Sequence, residues 1–201
     1  MKFILVRHAE TTANAGTVIL GREEEGVLSQ RGKRQAKALA RRFKRERISK
    51  AYCSPSNRAR QTCEMILDGR NCNVVYSEEL REIDMGDLVG LSHEEVKENY
   101  PETFRDIYSH PENKIPKGES ISDVQKRVMP LIERIAQEPG DPAILVVGHN
   151  VVNRVIISSL IGIPLNKIKN IKQKNAAITV IDLKPGFAQL YTLDNSLHSI
   201  K

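Results

Sequence analysis

Hydrophobic positions along this 201-residue chain alternate between two rhythms. Short unbroken apolar runs such as Ile4-Leu5-Val6 and Ala143–Val147 are too brief for helices and read as buried strands. Between them, apolar residues recur every three or four positions. Ala36, Leu39, Ala40 and Phe43 do so after Ser29. Val124, Val128, Leu131, Ile132 and Ile135 do so after a capping-box-like Ser120 and Asp123, with Pro130 predicted to kink that helix. Strands are predicted at Lys2–Val6, Ala51–Cys53, Val74–Tyr76 and Ala143–Val147. Ser54-Pro55 reads as an N-cap followed by proline at the first helical position, and an apolar helix follows at Val151–Ile161. Ala176–Leu183 and Phe187–Leu193 flank Lys184-Pro185-Gly186, a hairpin signature. Strands alternating with helices predict one α/β domain. It is a three-layer α/β/α sandwich whose sheet is mostly parallel, with an antiparallel C-terminal strand. The polar, proline-punctuated stretch from about 92 to 117 reads as a lid-like helical insertion over one end of the sheet.

Composition narrows the function classes. Hydrophobic residues are 40% and charged residues 28%, which is globular. No apolar run is long enough to cross a bilayer, and the N-terminus reads as a strand rather than a signal peptide. The net charge of +6 suits nucleic acid, an anionic surface or a small anionic substrate. Much of the excess lies between Arg31 and Arg47, where a solvated helix face accounts for it. With no Trp and 4% aromatics, a stacking platform for nucleic acid is poorly supplied, so neither nucleic acid nor membrane is expected as a partner. Three irregularly spaced cysteines, Cys53, Cys63 and Cys72, make no disulfide framework. No CxxC or HExxH suggests a metal, so a reduced, cytoplasmic protein without a metal site is predicted.

The chemistry gathers after the strands. Arg7-His8 follows the first, and Arg58 lies just past the second. Glu82 follows the third and His149 the fourth. Strand ends on one edge of a parallel sheet converge on one pocket. A neutral imidazole is a nucleophile near pH 7, and guanidinium groups hold phosphate oxygens. Two arginines and two histidines together make a site for a dianionic phosphate. A carboxylate beside that phosphate would be repelled unless it worked, and protonating a leaving group is such work.

These residues sit in a longer series: Leu5-Val6-Arg7-His8-Ala9-Glu10-Thr11 with Asn14; Leu28-Ser29 with Gly32 and Gln35-Ala36; Ser54-Pro55 with Arg58-Ala59 and Gln61-Thr62. Leu80 with Glu82, Gly86 with Gly90, Gly118-Glu119-Ser120 and Val146-Val147-Gly148-His149 complete it. In that order the series resembles the histidine phosphatase superfamily, in its phosphoglycerate-mutase-like branch. The resemblance implies a phosphatase that hydrolyses a small phosphate monoester through phosphohistidine on His8. It implies that Arg7, Arg58 and His149 bind the phosphoryl oxygens, and that Glu82 serves as acid and then base. Asn14, Gly21 and Asn150 would join the substrate-binding set, Glu119 would stand behind them, and no cofactor would be needed. Ala9 and Asn150 replace frequent glycines of that family, and Asp87-Leu88-Val89 stands where a Trp-Glu pair is common. A cofactor-dependent phosphoglycerate mutase is the nearest alternative, but mutases of this kind typically carry a longer insertion between Glu82 and Gly118 to shield the phosphohistidine. A catalytically idle polyanion-binding protein is the second alternative, motivated by the basic helix. Arg60 and Arg81 read as surface or salt-bridge residues, and His93, His110 and His198 as exposed. A small phosphorylated metabolite is the expected partner, and a homodimer is compatible with the sequence.

Overall fold

A computed structural model describes residues 1–12, 18, 19, 22, 26–138 and 143–196, save for the side chain of Phe104. The expected positions Asn14, Gly21 and His198 lie outside the described residues. A six-stranded sheet runs in the order β3-β2-β4-β1-β5-β6. Its strands are β1 (Lys2–Arg7), β2 (Ile48–Cys53), β3 (Asn73–Tyr76), β4 (Ala143–Gly148), β5 (Ile178–Lys184) and β6 (Phe187–Asn195). The helices are α1 (Gln30–Arg42), α2 (Asn57–Leu67), α3 (His93–Asn99), α4 (Pro101–Asp106), α5 (Ile121–Ala136) and α6 (Asn150–Ile161). β1, β2, β3 and β4 pair in parallel, while β5 pairs antiparallel with β1 and β6 antiparallel with β5.

Alternation across the pleat sorts the core into two layers. Phe3 and Leu5 of β1, with Ile144 and Val146 of β4, face the cluster that takes in α5 and α6. Ile4, Val6, Leu145 and Val147 face the cluster that takes in α1 and α2. All six residues of β4 are buried, as a central strand covered on both faces requires. Each such aliphatic side chain contributes on the order of 1.5–3 kcal/mol by leaving water.

Capping follows the sequence at α1 and α5. The Ser29 hydroxyl accepts the Gly32 N–H, and Ser120 and Asp123 form a reciprocal box. Pro130 sits inside α5, which nevertheless runs on to Ala136, because Leu131, Ile132 and Ile135 are held in the core beyond it. The start of α2 is a correction: Ser56, not Ser54, precedes the first helical residue. The physical reason lies in the site, where the Ser54 hydroxyl is engaged elsewhere.

The 92–117 segment packs down rather than standing free. Val96 and Ile115 are buried in the α5–α6 layer, with Leu91, Tyr100, Ile107 and Tyr108 against it. At its base, Ile19 N–H donates to the Leu91 carbonyl and Gly90 N–H to that of Ile19, both at 2.9 Å.

The turn after β1 is fastened to the first turn of α1. Ser29 N–H donates to the Glu10 carbonyl at 3.0 Å, Glu10 N–H donates to Gln35 Oε1 at 2.9 Å, and Ser29 Oγ–H donates to Glu10 Oε1 at 2.8 Å. This contact requires glycine at 32, because a Cβ there would lie 1.9 Å from the Glu10 carbonyl oxygen. Gly32→Ala is expected to destabilise the fold by roughly 1–3 kcal/mol, the usual cost of overpacking. Urea denaturation measures it, and an unchanged midpoint would be the contrary result.

Candidate active site

Strand register alone brings the two histidines together. β1 and β4 pair residue for residue from Lys2 with Ala143 to Arg7 with Gly148. One step further, His8 and His149 stand side by side at the carboxyl end of the sheet. His8 N–H donates to the Gly148 carbonyl at 3.0 Å, and the ring centroids lie 5.1 Å apart, tilted by 57°. Both side chains are buried, at 3% and 0% exposure.

The hydrogen bonds fix the proton on each ring. His8 Nδ1 lies 2.8 Å from the carbonyl oxygen of Ala9. A carbonyl only accepts, so Nδ1 carries the hydrogen and Nε2 keeps its lone pair. His149 is the reverse. Its Nδ1 accepts from Arg58 Nε at 3.3 Å, and its Nε2–H faces the hydroxyls of Ser54 at 2.8 Å and Ser56 at 3.1 Å. Here is why neither serine caps α2 with its side chain: both hydroxyls serve the imidazole. Sequence reasoning does not single out these two serines. The signal was present as two hydroxyls between a strand and Arg58, but a Ser-Pro pair reads first as a helix start.

Burial sets the protonation state. His8 is held well below the ordinary imidazole range, first by desolvation and then by the charges of Arg7 and Arg58. His149 is lowered likewise, by desolvation and then by His8, Arg58 and Arg7. A nucleophile must be unprotonated, and a lowered pKa keeps it so as pH falls through 6.5. The acidic decline of kcat/KM, which reports groups of the free enzyme, is therefore expected below pH 6.5. A pH–rate profile with nitrophenyl phosphate checks this. An acidic midpoint at or above 6.5 that belongs to the enzyme rather than the substrate would contradict it.

Arg58 is buried on the first turn of α2, and Thr62, one turn on, accepts the Ala9 N–H at 3.0 Å and donates to the Arg58 carbonyl at 2.7 Å. Thr62 thus locks the His8 turn to the helix that carries Arg58. Arg7 leaves the end of β1, donates through one terminal nitrogen to the Gln173 carbonyl, and keeps its Nε buried without a hydrogen-bond partner among the described residues. Burial lowers its pKa, offset first by the charge of Glu82. Asn150, directly after His149, has a buried Oδ1 with no partner among the described residues. Rotation of the amide would present its Nδ2 there instead.

Glu82 is held from the far side. Its carboxylate accepts the N–H groups of Val151 and Val152, at 3.1–3.2 Å, on the first turn of α6. Negative charge is favoured at a helix N-terminus. This places Glu82 two and three residues from His149, across a sequence distance of some seventy. The backbone beneath it is gripped by arginines that spacing could not reveal. Arg127 donates to the carbonyls of Glu79, Arg81 and Glu82, and Arg22 donates to that of Glu82. Glu119 ties both guanidinium groups, at 2.9 and 2.6 Å, and accepts the Asp84 N–H. Glu119 therefore supports the Glu82 loop, as expected. A close approach of Gly118 to Asp84 makes room, since a Cβ on Gly118 would sit 2.4 Å from the Asp84 carbonyl oxygen.

The surface and salt-bridge expectations hold where these residues are described. Arg60 lies over the Tyr76 ring, Arg81 pairs with Glu78, and His93 and His110 are exposed. The three cysteines are free, and among the described residues no group of three or more His, Cys, Asp or Glu could hold a metal. No described helix is long and apolar enough to cross a membrane.

Residues 3–196 match the family model described as histidine phosphatase superfamily (branch 1). Phosphoserine phosphatase 1 of Hydrogenobacter thermophilus is 35% identical over 92% of this chain and 87% of its own length. A probable phosphoglycerate mutase, GpmB of Erwinia tasmaniensis, is 29% identical over 90% of this chain and 85% of its own. Among solved structures, Bacillus stearothermophilus YhfR superposes with a TM-score of 0.91 at 26% identity, covering 98% of both chains.

Proposed function

The chain belongs to the histidine phosphatase superfamily, branch 1, and from that premise we propose how its residues hydrolyse a small phosphate monoester. The observation that carries the assignment is His8: a buried imidazole whose Nδ1–H is spent on a carbonyl, leaving Nε2 free beside two arginines and a second histidine.

In the first step His8 Nε2 attacks phosphorus and the ester P–O bond breaks. Glu82 in its protonated form gives its proton to the departing oxygen. The phosphohistidine ring is then an imidazolium, because Nδ1 keeps its hydrogen, and the Ala9 carbonyl accepts that hydrogen bond throughout. Arg7 and Arg58 face the charge that spreads over the phosphoryl oxygens, inside a pocket that does not reorganise. In the second step water attacks phosphorus and the P–N bond breaks. Glu82 takes the proton from the water, so His8 and Glu82 return to their starting states and orthophosphate leaves. His149, which takes Arg58 Nε on one nitrogen, is a positioning and binding residue. Asn150 completes the anion contacts, with Asn14 and Gly21 as further members of the set.

The substrate is a small phosphorylated metabolite, and the free cysteines suit a reducing cytoplasm. The 92–117 segment serves as a short lid over the pocket, too close-packed to shield a long-lived phosphohistidine. Hydrolysis is therefore expected to exceed isomerisation of 3- to 2-phosphoglycerate, with or without added 2,3-bisphosphoglycerate. Phosphate release and isomer ratio followed in one tube, over a panel that includes phosphoserine and the phosphoglycerates, decide between phosphatase and mutase. The same panel run in excess EDTA is expected to lose nothing, since the positive charge comes from arginine. Loss with chelator, restored by a divalent ion, would overturn that part.

A further inference from the structure

Beside the phosphate pocket lies a cleft, most of whose lining the chemistry at His8 does not use. The cleft, of about 1010 Å³, opens between α1 and the segment before β5. It begins at Arg7 and Asn175, and Asn175 Nδ2 also donates to the His8 carbonyl at 3.2 Å. One wall is the basic face of α1, where Arg31, Arg34, Lys37 and Arg41 fall on a single stripe. At 1.5 Å per residue that stripe is about 15 Å long. Lys172 and Lys174 stand on the opposite wall. Arg154 joins Arg7 in the lining, and each carries a buried Nε without a hydrogen-bond partner among the described residues.

The charges are poorly compensated. Glu10 is the one carboxylate among the described lining residues. It is paired with Arg31 at 3.2 Å and also accepts from Ser29. No ion pair involves Arg34, Lys37, Arg41, Lys172 or Lys174 among the described residues. A solvated helix face, the expectation from sequence for this basic run, does not account for cations on a facing wall. One phosphate is already provided for by Arg7 and Arg58, so a 15 Å row of further cations calls for more anions than a monophosphate has. The volume is at the upper end of the roughly 300–1,000 Å³ of small-molecule sites. No described lining residue is aromatic, which disfavours stacked bases.

We propose that this cleft binds the remaining phosphates of a small molecule that carries three or more, while one terminal phosphate reaches His8. The proposal rests on the phosphatase reading and narrows its substrate class. Arg7 belongs to both regions, so ligands of the two should compete.

Inhibition of nitrophenyl phosphate hydrolysis tests it, with inorganic tripolyphosphate and orthophosphate as probes. Tripolyphosphate is expected to inhibit competitively, with a Ki about a hundredfold below that of orthophosphate, as two added charge-assisted contacts would give. In the double variant Arg34→Gln/Lys37→Gln, both residues being exposed on α1, that ratio should fall about tenfold, and Arg34→Lys/Lys37→Arg should keep it. A ratio within threefold of one in the wild type overturns the proposal. So does non-competitive inhibition, or a ratio that the double variant leaves unmoved. Tighter binding of a single-stranded RNA 20-mer than of tripolyphosphate would replace it with a nucleic-acid surface. Absence of any nitrophenyl phosphate turnover would instead sink the phosphatase reading. Calorimetric titration with tripolyphosphate would then still decide the cleft, with binding supporting it and no heat overturning it.

Discussion

His8→Ala is expected to lower turnover by about 10⁴-fold or more, the scale on which enzymes fail when a covalent nucleophile is removed. No neighbour can stand in. His149 lies within reach of the same pocket, but its Nδ1 lone pair accepts from Arg58 and its other nitrogen donates toward Ser54 and Ser56. Among the described residues, of the two imidazoles only His8 has a nitrogen lone pair without a donor on it. The loss must be separated from misfolding, because His8 is 3% exposed and its removal leaves a void at the carboxyl end of β1. Two readouts do so. Thermal unfolding of the variant reports the fold, and a rapid quench of wild type with labelled substrate, avoiding acid, should trap phosphate that is base-stable and acid-labile. His8→Ala should trap none. Full activity in a folded His8→Ala would end the phosphohistidine mechanism.

What could be read from sequence divides along a physical line. Strand-borne features were legible, because an apolar run followed by Arg-His or Gly-His states both the strand and its exit. That was enough to place His8 and His149 on one sheet edge, and parallel pairing of β1 with β4 did the rest. Ser54 and Ser56 were not legible, since their use is decided by a histidine more than ninety residues away. Nor could Arg22 and Arg127 be distinguished from ordinary charges. Their role is to bind backbone carbonyls of the Glu82 loop, and carbonyls leave no mark in a sequence. The basic stripe of α1 was visible, but its meaning depends on Lys172 and Lys174, which only the fold brings opposite it. Pattern reasoning sees what an element does with its own neighbours, and it is blind to partners supplied by topology.

Glu82→Gln is expected to slow hydrolysis of alkyl phosphates by roughly 10²–10⁴, the usual worth of a positioned general acid. An alkoxide is a poor leaving group and needs the proton as the P–O bond breaks. Nitrophenolate leaves without one, so nitrophenyl phosphate should lose much less in the step that forms phosphohistidine. Its residual loss would lie in the second step, where the same group accepts a proton from water. The choice of glutamine matters because Glu82 also holds the N–H groups of Val151 and Val152 at the start of α6, the helix that begins directly after His149. Glutamine keeps one oxygen to accept from those amides and gives up the transferable proton. Glu82→Ala removes both, so it should add a stability loss of about 0.5–2 kcal/mol, the range for losing a capping acceptor. If Glu82 were only a helix cap, Gln would be nearly silent, Ala would fall with stability, and both substrates would suffer alike. If it is the acid, Gln and Ala should be equally slow on alkyl esters while only Ala lowers the unfolding midpoint. Equal losses in kcat/KM, which reports the phosphohistidine-forming step alone, on alkyl and nitrophenyl esters in Glu82→Gln would remove Glu82 as the acid and leave it as support for His149.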